Sequence, residues 1–89
     1  QAVRINKMPT VHRFDDLRVV IYPNDHVPSH VHVLGRGGEA VFKLHCPDGP
    51  VELREVIGHD KKTLVRVEAG LNNILASLCQ KWRQIHVHY

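Results

Sequence analysis

Eighty-nine residues form one small domain, since a single core takes most of a chain this short. An apolar share of 43% and a charged share of 24%, with no low-complexity tract or repeat, exclude disorder throughout. A net charge of +3 permits an anionic or nucleic-acid partner without demanding one, and no stretch has the roughly 20 apolar residues of a bilayer span.

Residues 1–7 have mixed polarity and are expected as a flexible leader, with Met8-Pro9-Thr10 as an alternative natural start and 8–89 as one α+β domain. Val11–Phe14 and Leu17–Tyr22 read as two strands around an Asp15-Asp16 turn. That loop sets Phe14 against Leu17, Arg13 against Arg18, His12 against Val19 and Val11 against Val20. Phe14, Leu17, Val19 and Ile21 then share the core face, and Arg13, Arg18, Val20 and Tyr22 the other. Two arginines directly opposed are unfavourable unless something anionic lies between them, and Asp15 and Asp16 stand at the turn to supply it.

Pro23 ends the second strand, and the loop that follows opens a run with three histidines in seven residues: His26, His30 and His32. His30–Leu34 alternates, Gly35–Gly38 reads as a four-residue turn, and Glu39–His45 alternates again. The pairing is Leu34 with Glu39, Val33 with Ala40, His32 with Val41, Val31 with Phe42 and His30 with Lys43. Val31, Val33, Ala40, Phe42 and Leu44 share one face, and His30, His32, Glu39, Lys43 and His45 the other.

Cys46-Pro47-Asp48-Gly49-Pro50 is a turn, and Val51–Ile57 is expected as a last strand at an edge. Asp60 is the expected N-cap of a helix, with no capping box behind it. From Lys61 to about Ile85, Leu64, Val67, Leu71, Ile74, Leu75, Leu78, Trp82 and Ile85 form one helical stripe. Gly70 inside that stripe predicts a slight bend or close packing. His86 and His88 stand where a helix C-terminus favours positive charge. The architecture expected is a small antiparallel sheet of four or five strands in two hairpins, with one long C-terminal helix across its apolar face. Neither Cys46 nor Cys79 has the spacing of a disulfide framework or a zinc site, which points to a reducing, cytoplasmic setting.

One helix covers one sheet face, so function is expected on the other. Eight histidines in so short a chain are the anomaly there, because their charge changes between roughly pH 5 and 8. Three chemistries compete. His26, His30 and His32 offer a metal site with Glu39 as a fitting carboxylate, opposed by the cationic neighbours Arg13, Arg18 and Lys43. Metal-independent RNA cleavage uses the same face, with His30 or His32 as general acid and Glu39 or His26 as general base. Arg13, Arg18 and Lys43 then clamp phosphate. A binding or assembly face is the third, with a homodimer through the 51–57 edge. No cofactor is expected.

Met8-Pro9-Thr10-Val11, the segment from Arg18 to Pro23 and the run from Asn24 through Val33 together resemble the small prokaryotic domain-of-unknown-function family numbered 4160. Glu39-Ala40-Val41-Phe42, Glu52-Leu53 and the Gly58-to-Asp60 approach to a long helix fit the same pattern. The resemblance covers residue 8 to about 85. Ser29 departs from it, standing where a second proline is expected, and residues 1–7 precede the usual start. The resemblance implies one half of a toxin–antitoxin gene pair, beside another small protein of the unknown-function family numbered 2442. The residues that carry over are His26, His30, His32 and Glu39. A toxin-like component is therefore expected, partnered by a cognate small antitoxin-like protein and acting on RNA.

Overall fold

Apolar residues at every second position lay the first two-thirds of the chain into strands, and the computed structural model describes residues 10–89 of it. Five strands follow one another in sequence and in space: β1 (Thr10–Phe14), β2 (Leu17–Val20), β3 (His30–Gly35), β4 (Gly38–Lys43) and β5 (Glu52–Ile57). All four pairings are antiparallel. The expected leader and Met8-Pro9 lie outside the described residues.

The β3–β4 register matches expectation pair for pair, from His30 opposite Lys43 to Leu34 opposite Glu39. Its turn is tighter than expected. Gly35 pairs with Gly38, leaving Arg36 and Gly37 as a two-residue loop with φ of 54° and 75°, the twist that suits a hairpin. The first hairpin pairs Phe14 with Leu17, Arg13 with Arg18 and His12 with Val19, as expected. A bulge then sets Thr10, not Val11, opposite Val20.

The core face is as patterned. Leu17, Val19, Ile21, Val31, Val33, Ala40, Phe42 and Leu44 are buried against Val67, Leu71, Leu75, Leu78 and Trp82 of the C-terminal segment. The other face is less polar than expected, since Val20 and Val41, which flank His32 in register, are also buried.

The single long helix is replaced by two, α1 (Lys61–Asn73) and α2 (Leu75–His86). Asp60 caps the first as expected, accepting a hydrogen bond from the Thr63 N–H at 2.8 Å. The break falls at Ile74 (φ −114°, ψ 21°), whose N–H donates to Leu71 O at 3.2 Å in a tightened turn. Asn72 and Asn73 precede it and are poor helix formers. The Val51 N–H donates to Asn72 Oδ1 at 2.9 Å, tying the helix to the β4–β5 connection. At Gly70 the helix packs close, for an added Cβ would lie 2.7 Å from Phe14 Cε1.

Cys46 and Cys79 form a disulfide, with Cα atoms 5.7 Å apart and a sequence separation of 33. This overturns the expectation of unpaired thiols. Leu44 and Val51 bury both ends of the 44–51 connection in the core, and Gly49 sits where a Cβ would meet Leu75. The connection therefore lies on α2, and tertiary packing joins the two cysteines where spacing gave no sign. The cysteines thus give no ground for a reducing compartment. No helix among the described residues is long and apolar enough to cross a membrane.

Candidate metal centre

The loop between β2 and β3 is closed by a reciprocal turn. The Asp25 N–H donates to Tyr22 O at 3.0 Å, and the Tyr22 N–H donates to Asp25 Oδ2 at 3.0 Å. One carboxylate oxygen is thereby fixed, and the other, Oδ1, faces β3. On β3 the two-residue period brings His30 and His32 to the same side, with ring centroids 5.2 Å apart.

Each imidazole is committed at Nδ1. His30 Nδ1 lies 2.9 Å from Pro28 O, and His32 Nδ1 lies 3.1 Å from Glu39 Oε2. A carbonyl or carboxylate oxygen only accepts, so in a neutral ring these contacts place the proton on Nδ1 of both residues. Both Nε2 atoms then present lone pairs to the same atom, Asp25 Oδ1, at 3.6 Å from His30 and 3.3 Å from His32. Three acceptors facing one another repel unless a proton or a metal ion stands between them, and His32 Nε2 is within hydrogen-bond distance of Asp25 Oδ1. All three side chains are 12–16% exposed, so solvent screens the repulsion poorly.

The spacing suits a metal ion. Two donors each about 2.1 Å from one ion lie roughly 3.0 Å apart at a right angle and about 3.4 Å apart at the tetrahedral angle. The 3.3 Å between His32 and Asp25 falls in that range, the 3.6 Å between His30 and Asp25 lies just beyond it, and the three ligand atoms all lie within 4.8 Å of one another. Nδ1–H bonds to a carbonyl and a carboxylate are the outer contacts that orient metal-binding histidines.

Around this triad the protein is aromatic. The Tyr22 ring meets His32 edge-on at 4.9 Å, and buried Trp82 of α2 lies 5.3 Å from His30. His86 stacks on Trp82 at 4.1 Å, with Nε2 3.2 Å from Tyr22 O, so the end of α2 braces the loop. Ser29 is buried; its N–H donates to Tyr89 O and its O accepts from the Leu44 N–H. A proline, the residue expected here, has no N–H to donate to Tyr89 O.

The expected site residues separate into those gathered and those left out. His30, His32 and Glu39 meet as expected, but Glu39 stands behind His32 rather than in front of it. His26 is exposed on the loop and is no member of the ligand cluster among the described residues. Asp25, which was not expected at the site, takes the place expected of Glu39, as a carboxylate that only its turn with Tyr22 directs inward. Lys43 sits opposite His30 in register. Arg13 is exposed opposite Arg18, whose guanidinium donates to Thr10 Oγ1 at 3.4 Å. The turn aspartates do not neutralise this pair in the way expected: Asp16 binds Arg36 of the next hairpin at 3.0 Å, which lowers its carboxyl pKa and raises that of Arg36. His45, with φ of 52°, turns out of the strand and bonds Glu52 at 2.7 Å, which holds the Glu52 carboxyl below its usual range.

Residues 17–83 match the family described as Domain of unknown function (DUF4160). The chain belongs to that family. The matched span of this DUF4160 domain contains Asp25, His30, His32 and Glu39, while His86 and Tyr89, which brace the loop, lie beyond it. No curated protein and no solved structure matches the chain.

Proposed function

We propose that this DUF4160 domain binds one divalent transition-metal ion through Asp25 Oδ1, His30 Nε2 and His32 Nε2, and that its activity is centred there. The observation that carries the reading is that both Nε2 lone pairs converge on one carboxylate oxygen while both Nδ1 atoms are held from behind. Two imidazoles and a carboxylate suit Zn, Fe, Mn or Ni. Three protein ligands leave at least one coordination position for water or substrate, the pattern of a working centre rather than a structural one. Lys43, opposite His30, and Arg18 farther along the same face favour an anionic ligand at that position.

A second reading keeps the same face without metal. A toxin-like half of a toxin–antitoxin pair would cleave RNA by acid–base chemistry. The His32–Glu39 contact supports it, since a carboxylate behind an imidazole orients the ring for proton transfer. In that reading His30 is the acid, and Arg13, Arg18 and Lys43 hold phosphate. Metal analysis of the purified protein, wild type against Asp25→Ala, separates the two. About one ion per chain in the wild type, lost in the variant, is the result expected for a metal centre. RNA cleavage that survives chelator and Asp25→Ala would sink it and favour the metal-free reading.

A further inference from the structure

The sheet ends at β5, and that strand is unlike the others. All its residues are exposed, and among the described residues none of them belongs to the core cluster. Among the described residues it pairs only with β4, so its outer row of N–H and C=O groups faces away from the sheet. Leu53, Val56 and Ile57 are 37%, 39% and 77% exposed. Register places Leu53 opposite Phe42 and Val56 opposite Ala40, on the core side, while Glu52 and Ile57 lie opposite Lys43 and Glu39 on the other. A bulge leaves Arg54 without a partner on β4, beside Glu55.

We propose that β5 pairs antiparallel with β5 of a second copy of this chain, about a twofold axis that passes between Arg54 and Glu55. The strand is complementary to itself only in that register. Arg54 meets the partner's Glu55, and Leu53 meets the partner's Val56, each twice by symmetry. A shift of one residue either way sets Arg54 against its own copy or Glu55 against its own copy. A shift of two in one direction sets Glu52 against Glu55, and in the other it separates both charges from any counterpart. The proposed register also keeps faces consistent, because Leu53 and Val56 are both core-side residues.

The product is one continuous sheet of twice the width. Its axis is perpendicular to the sheet, so the helices of both copies lie on one side and both Asp25–His30–His32 clusters on the other. A seam of one short strand per copy is at the small end of specific interfaces, and the association is therefore concentration dependent.

Sedimentation equilibrium of the full chain over about 1 μM to 1 mM tests the pairing. The wild type is expected to pass from monomer to doubled mass within that range. Arg54→Glu faces the partner's Glu55 with a like charge and removes the dimer, and adding Glu55→Arg restores it. Both positions are exposed, so thermal melting of all three proteins at the dilute, monomeric end of the range is expected to coincide and separates loss of association from loss of fold. A wild type that stays monomeric to the top of the range overturns the proposal. So does a dimer indifferent to Arg54→Glu, or a double exchange that fails to restore it.

Discussion

His32 Nε2 lies 3.3 Å from Asp25 Oδ1 although the two residues belong to different elements, a strand and the loop before it. The loop carboxylate reaches the ring because the Tyr22 N–H holds its second oxygen, and the ring faces the carboxylate because Glu39 holds its other nitrogen. Metal affinity should respond differently at the two ends of this chain of contacts. Asp25→Ala removes a ligand and is expected to abolish stoichiometric binding. Glu39→Gln removes only the contact behind His32 and is expected to weaken binding roughly 10–100-fold. Titration against a chelating dye measures both, and equal loss in the two variants would contradict the assigned roles.

The disulfide closes a long loop, and its removal should be felt mainly in stability. For a sequence separation of 33 between Cys46 and Cys79, restriction of the unfolded chain is worth about 3–4 kcal/mol. In a domain of this size that corresponds to a fall in Tm on the order of 15 °C. The fall in Tm on adding reductant to the wild type is expected to match the fall in Cys46→Ser with Cys79→Ser, both read by thermal melts. An unchanged Tm under reductant would show that packing of the 44–51 connection on α2 suffices alone.

How much was visible beforehand follows from the range of the physics involved. Val31, Val33, Ala40 and Phe42 announce their face by alternation, and the glycines after Leu34 announce the turn, so the β3–β4 register was legible to the residue. His30 and His32 came with it. Asp25 did not, because a loop carboxylate has no periodicity and its direction depends on one backbone N–H. The signal available was an aspartate in a proline-bounded turn just before two alternating histidines. His45 was misplaced because a positive φ leaves no mark in an alternating pattern. The Ile74 break hides within an unbroken apolar stripe, and the paired asparagines ahead of it were its only local sign. The cysteines could be joined only by the packing of α2.

Helix α1 should make stability depend on acid through its cap. Hydrogen bonding from the Thr63 side chain, and then from its backbone N–H, holds the Asp60 carboxyl below its usual range. Its pKa is therefore lower folded than unfolded. The contribution is fully present above the unfolded value, near 4, and is lost as pH falls through the folded one. Asp60→Asn keeps a capping oxygen but does not titrate. Wild type is expected to melt higher than Asp60→Asn at pH 6, with the gap narrowing below about pH 4. A gap that stays constant down to pH 2.5 would exclude the cap as its source.

Gly70 sets two effects of similar size against each other. Alanine there gains about 1 kcal/mol of helix propensity over glycine. Its Cβ, however, would lie 2.7 and 2.8 Å from two ring carbons of Phe14, which packs on the core and cannot swing freely. Overpacking of that kind costs about 1–3 kcal/mol, so Gly70→Ala is expected to destabilise by roughly 1 kcal/mol. Phe14→Leu removes the obstructing ring at its own cost. In that background the same glycine-to-alanine change is expected to reverse sign and stabilise the domain. A double-mutant cycle by urea denaturation reads the coupling directly. If Gly70→Ala stabilises the wild type as much as it does the Phe14→Leu variant, helix and sheet do not meet at this contact.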